Sequence, residues 1–213
     1  MKKLIAGLAL AAASWTMAET INVGDFTYRA PVTFPGYTIE NTLENCPVLV
    51  RITETQGGFS YSDSSADGSD IRFTLEDGTL LPSEVSLWNR DGESHVWVCV
   101  PSLTAGTSVM MYWGGTHSFP ASQNDGTVWT TAGYLAVWHL DEASGATIAK
   151  DSAGGALNGT YNVKSIGENG KVGRAVRISD GAWNVYDGKG IATSTYSGVG
   201  NQFMVSLWCK YPN

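Results

Sequence analysis

Apolar positions along this chain recur mostly in steps of two, the spacing of a strand with one buried face. Strand candidates lie at residues 25–34, 47–52 (PVLVRI), 71–75, 84–88, 95–100 and 108–113. Polar or turn-forming stretches separate them, including residues 60–70 (SYSDSSADGSD) and the hairpin signal Asp77-Gly78. In residues 95–100 (HVWVCV) the three valines share one face, and His95, Trp97 and Cys99 share the other. Both faces carry apolar bulk, so a central strand covered on both sides is expected. Pro82 and Pro101 are expected at strand ends, where a missing N–H does least harm. No ten-residue stretch of this first region has a helical period.

Residues 134–140 (YLAVWHL) repeat the alternation, with Leu135, Val137 and His139 against Tyr134, Ala136, Trp138 and Leu140. Residues 171–179 (KVGRAVRIS) and 203–210 (FMVSLWCK) read as further strands. The expected fold is all-β: an antiparallel β-sandwich over residues 19–131, then a second, partial sandwich over 132–213. The connector at 124–131 is too brief for a flexible tether, so the two parts are expected to touch.

The first eighteen residues change the compartment. Lys2 and Lys3 precede an apolar run over residues 4–13, and Thr16-Met17-Ala18 supplies a small-x-small cleavage site. This is the pattern of an export signal, and the apolar run is shorter than the ~20 residues that span a bilayer. A periplasmic, cell-surface or secreted location follows as an expectation. The formal net charge is −7 with no basic cluster, which disfavours nucleic acid and anionic lipid as partners. Export permits disulfides, but Cys46, Cys99 and Cys209 are odd in number. Cys46 and Cys99 are the one plausible pair, set against the alternative that each is a small buried apolar residue.

The segments CPVLVRI, GSDIRFTLEDGTLLPSEVSLWN, HVWVCVPSL and VMMYWG, followed by DGTVW, resemble the bacterial family called domain of unknown function 2341. The resemblance covers residues 26–129, with Cys99 where that family usually has Lys or Arg and Cys46 where an aromatic is common. It brings no activity with it; its members are exported or surface proteins, some joined to a proton-channel domain. Further on, VWHLDE, DSAGGALNGTY, GKVGRAVRIS and FMVSLWCK resemble the N-terminal half of the laminin-G-like, concanavalin-A-like superfamily. The chain ends at Asn213 within what would be a sheet, so a truncated domain is expected, with self-association through its unfinished edge.

The laminin-G resemblance implies calcium and carbohydrate binding. Asp141, Asp151 and Asn158 are then the candidate calcium ligands. Trp183, Tyr186 and Tyr196, in Gly/Asp-rich loops, are the candidate sugar-stacking residues. Each has a plainer reading, since Asp and Asn shape glycine turns and Trp in a β-protein is usually core. Asp63, Asp67 and Asp70 invite the same two readings, and turn formation is preferred because the helix-loop-helix calcium spacing is absent.

No catalytic pattern emerges. Paired carboxylates at alternate strand positions, the glucanase arrangement, are missing, and Asp141 and Glu142 are adjacent. His95 and Cys99 share a face but lie about 13 Å apart along a strand, too far for a nucleophile and base. The expected function is non-enzymatic recognition or adhesion toward a polysaccharide or cell-surface glycan. The alternatives are an extracytoplasmic sensory or structural domain of a proton-channel complex, or the non-catalytic portion of a carbohydrate-active enzyme whose longer form hydrolyses glycans.

Overall fold

The computed structural model describes residues 20–115, 124–155, 157–178, 190–193, 204–207 and 209. The expected export signal, Trp183, Tyr186 and Tyr196 lie outside the described residues. The alternation read from the sequence becomes six strands: β1 (Phe26–Thr33), β2 (Leu43–Thr53), β3 (Arg72–Thr74), β4 (Ser83–Leu87), β5 (Glu93–Leu103) and β6 (Ser108–Gly115). They form two antiparallel three-stranded sheets, ordered β1-β6-β3 and β2-β5-β4.

One apolar core lies between them. Ala30, Phe73, Val109, Met111 and Trp113 come from the first sheet, and Val50, Ile52, Val96, Val98 and Val100 from the second. Phe59 fills its centre, edge-on to Tyr61, Trp88 and Trp113 at ring distances of 5.0, 6.2 and 5.4 Å. Such contacts add to the burial energy of each ring. The all-β antiparallel expectation therefore holds, and β5 is the central strand it was expected to be.

The other face of β5 is also covered. Cys99 joins Val128, Trp129 and Ala153 in a second, smaller core, with Trp97 and Val137 packed against it. Pro101 differs from expectation, lying inside β5 and not at its end. The reason is local: Cys99, two residues earlier, donates its N–H to Pro82 O at 3.0 Å, just before β4 starts. Pro101 thus turns its missing donor to the same edge, beyond the point where β4 begins.

All three cysteines are free thiols. Cys46 is paired in register with Val100 and Cys99 with Pro47, so the two sulfurs lie on opposite faces of the sheet and cannot bridge. Burial pushes the Cys99 thiol up to about 11, with a smaller push from Cys46. The native protein is therefore expected to react at Cys209, which is exposed, while Cys99 resists iodoacetamide in mildly alkaline buffer. Mass spectrometry of alkylated peptides before and after denaturation checks this; rapid native labelling of Cys99 would contradict it.

Two acids of the 60–70 loop, Asp67 and Asp70, bond the loop's own backbone. Asp70 accepts from the N–H and hydroxyl of Ser65 at 2.9 and 2.7 Å, and from Gly114 N at 2.9 Å. Asp67 accepts from Ser69 N at 3.1 Å.

After β6 come one helical turn, α1 (Thr127–Thr131), and five short strands. These are β7 (Ile148–Ala149), β8 (Gly159–Asn162), β9 (Ser165–Asn169), β10 (Arg174–Arg177) and β11 (Gly190–Thr193). They pair as β11-β8-β7 and β10-β9, all antiparallel. The strand expected at 134–140 does not form; its one ladder contact is the bridge between Trp138 and Asp151. Leu140 has a φ of +59°, which ends any extended run there. Of residues 203–210, also expected as a strand, positions 204–207 have no strand pairing, and Met204, Val205 and Leu207 are exposed. Among the described residues no helix is long and apolar enough to cross a membrane.

Candidate functional site

Register decides what faces outward from β5. Glu84 of β4 is paired with Trp97, so its side chain lies on the Trp97 and Cys99 face, away from the valine core. Two segments close over that face: α1 with its neighbours, and residues 133–155. Asn124 seals the free edge of β4, its N–H donating to Ser83 O at 3.1 Å and its Oδ1 accepting from Val85 N at 2.7 Å. Gly126, at φ +86°, seats α1 against the second segment, because a Cβ there would lie 2.8 Å from Ser152 O.

Glu84 is 7 % exposed and joins all three pieces. Its Oε2 accepts from Trp129 Nε1 at 2.7 Å, and its Oε1 faces His139 Nε2 at 2.6 Å. The His139 ring stacks nearly parallel to Trp97, with centroids 6.4 Å apart, and is tilted against Trp129 at 5.5 Å. A buried carboxylate is tolerated here because both its oxygens have donors.

Asp151 holds the outer segment. At 1 % exposure, it accepts three backbone N–H bonds: Val137 at 3.0 Å and Ala153 at 2.9 Å on Oδ1, and Leu157 at 3.1 Å on Oδ2. Ser152 N returns a bond to Val137 O at 2.7 Å. Within residues 134–140, Val137 is thus held through both its N–H and its C=O by Asp151 and Ser152.

Between these pieces lies a cleft of about 380 Å³, walled by Glu84, Asp125, His139, Asp141, Glu142 and Lys150 among others. Its acids differ in state. Glu142 is committed, with Oε1 accepting from Lys150 N at 2.7 Å and Oε2 from the Tyr161 hydroxyl. Burial, reinforced by that bond, raises the Tyr161 phenol well above its ordinary range. Asp141 is half-buried and takes no hydrogen bond from another described side chain or amide. Burial raises its carboxyl, Glu142 and Glu84 push the same way, and the His139 ring opposes them.

The structure thus brings Asp141 and Asp151 to the same cleft. Asn158 sits behind Asp151, its Oδ1 accepting from Asp151 N at 2.8 Å. With both Asp151 oxygens and the Asn158 oxygen directed at backbone donors, these three do not fit a calcium cage. Among the described residues no group of three or more His, Cys, Asp or Glu side chains could hold a metal ion.

Sequence reasoning missed Glu84, read only as a strand residue, and Trp129, read as part of a connector. Neither carries a local signal, because their meeting depends on the β4–β5 register and on α1. Chemically the cleft offers acceptors on a rigid wall.

No curated protein and no solved structure matches the chain, and nothing in the comparisons supports a laminin-G-like module after the matched region. That region runs past residue 131 and holds Glu84, Trp129, His139, Asp141 and Asp151: residues 67–153 match the family described as Domain of unknown function (DUF2341).

Proposed function

We propose that this chain is an exported, non-enzymatic recognition domain whose acidic cleft takes a glycan of a polysaccharide or cell surface. The observation that carries the reading is Asp141: a half-buried carboxylate without a hydrogen-bonding partner among the other described residues, on walls that Glu84 and Asp151 tie together. Sugar hydroxyls are donors, and a pre-positioned carboxylate is their natural acceptor. The cleft volume falls within the usual ~300–1,000 Å³ of small-molecule sites. Glu84 and Glu142 have two donors each and so serve as supports of the cleft wall.

Export rests on the N-terminal pattern, and Edman sequencing of secreted protein beginning at Glu19 would support it. The short antiparallel sheets formed by β7 to β11 are read as part of the same recognition surface. Calcium has no role in this proposal, given how Asp151 and Asn158 are engaged.

Glycan-array and calorimetric measurements on the full-length chain test it. Asp141→Ala is expected to weaken binding by about tenfold or more, the worth of one charge-assisted hydrogen bond. Binding is also expected to fade as pH drops, since protonation removes the acceptor, and its raised carboxyl loses charge at milder acidity than an ordinary aspartate. Silence across both measurements would leave a structural role in a larger assembly.

A further inference from the structure

Glu84 does more than tie segments together. Its carboxylate faces His139 Nε2 at 2.6 Å, and a carboxylate only accepts. The neutral imidazole must therefore carry its proton on Nε2, leaving Nδ1 with a lone pair. Nδ1 makes no hydrogen bond among the described residues and is not sealed from solvent; the side chain keeps 18 % exposure on the cleft wall. Stacking on Trp97 and contact with Trp129 stop the ring from turning over.

We propose that Glu84 locks His139 in the Nε2–H tautomer, making Nδ1 a fixed acceptor that selects, together with Asp141, for ligands presenting hydroxyl donors. The inference rests on the cleft being the binding site and names its selectivity device. Two acceptors on one cleft suit the hydroxyls of a neutral sugar, and neither can bond a ligand that offers only carbonyl or carboxylate oxygens. Glu84 is a positioning residue in this scheme and touches no ligand.

The lock can be read without any ligand. Nitrogen NMR of ¹⁵N-histidine-labelled full-length protein, in mildly alkaline buffer where an ordinary imidazole is neutral, distinguishes the two tautomers. Only three histidines are present, and a His139→Gln sample assigns the signal. The expected result is Nε2–H with an unprotonated Nδ1. In Glu84→Gln, Trp129 Nε1–H can bond only the amide oxygen. The amide NH₂ then faces His139, and the tautomer is expected to invert to Nδ1–H.

Binding of methyl glucoside, galactoside and mannoside, measured by calorimetry on both proteins, completes the test. Inversion is expected to weaken the best of them by about tenfold. An Nδ1–H signal in the native protein, or no inversion in Glu84→Gln, overturns the lock whatever binds. Inversion with undiminished sugar binding overturns its role in selectivity. The expected tautomers with no sugar binding to either protein refute the sugar reading of the cleft and its selectivity, while upholding the lock itself.

Discussion

Asp151→Ala is expected to release residues 133–158 from the rest of the molecule and to lower unfolding stability by about 4 kcal/mol. Three backbone N–H groups, of Val137, Ala153 and Leu157, converge on that one carboxylate. Each buried donor left without a partner costs ~1–3 kcal/mol. Alanine leaves all three donors without their acceptor at once, at a site with 1 % exposure where water has little access. Asp151→Asn should cost less, because one amide oxygen can keep the two donors on the Oδ1 side while the NH₂ confronts Leu157 N. Hydrogen–deuterium exchange resolved by peptide, with urea unfolding on the same samples, provides the measurement. Faster exchange confined to 133–158 is expected, with the valine core of β5 still protected. Equal stability of the alanine variant and the native chain would show that this carboxylate is not the organiser described above.

Glu84→Ala is expected to cost about 3 kcal/mol, and in a different place. It strands Trp129 Nε1–H and His139 Nε2–H beneath the cleft, with a void where the carboxylate stood. Packing of Trp97 against Trp129 at 5.1 Å should loosen, so near-UV circular dichroism should fall along with the denaturation midpoint. Glu84→Gln keeps the shape and both contacts and should remain close to native stability. A Glu84→Ala protein as stable as native, with an unchanged aromatic signal, would mean the three segments are held by apolar packing alone.

The two sheets were largely legible because alternation is a local property. HVWVCV places three valines on one face, and only a strand with a covered opposite face would bury His95 and Cys99 and partly bury Trp97 as well. The same logic failed at YLAVWHL. Its alternation is as clear, but alternation reports which side chains are buried and not what the backbone bonds to; there the donor of Val137 goes to Asp151 fourteen positions away. The site was half legible. Asp141 and Asp151 were singled out through their loop, although Asp151 proves to be a backbone anchor. Glu84 could not be found locally, since an acid in a strand usually faces water, and here pairing with Trp97 turns it under a helix that five residues barely form. The Cys46–Cys99 question was settled by register in the same way: adjacent strands, opposite faces.

The order β1-β6-β3 joins the opening strand of the twin sheets to their closing one, Phe26 meeting Gly115. As the polypeptide is synthesised, β1 emerges with no neighbour and waits until β6 has followed it out. The β2–β5 ladder likewise bridges a long stretch of chain, so the entropy of closing large loops precedes any reward from the shared interior. Such wiring makes folding slow by design of the topology. For the exported protein proposed above, that delay is useful: it keeps the nascent molecule pliable while it threads a translocation channel.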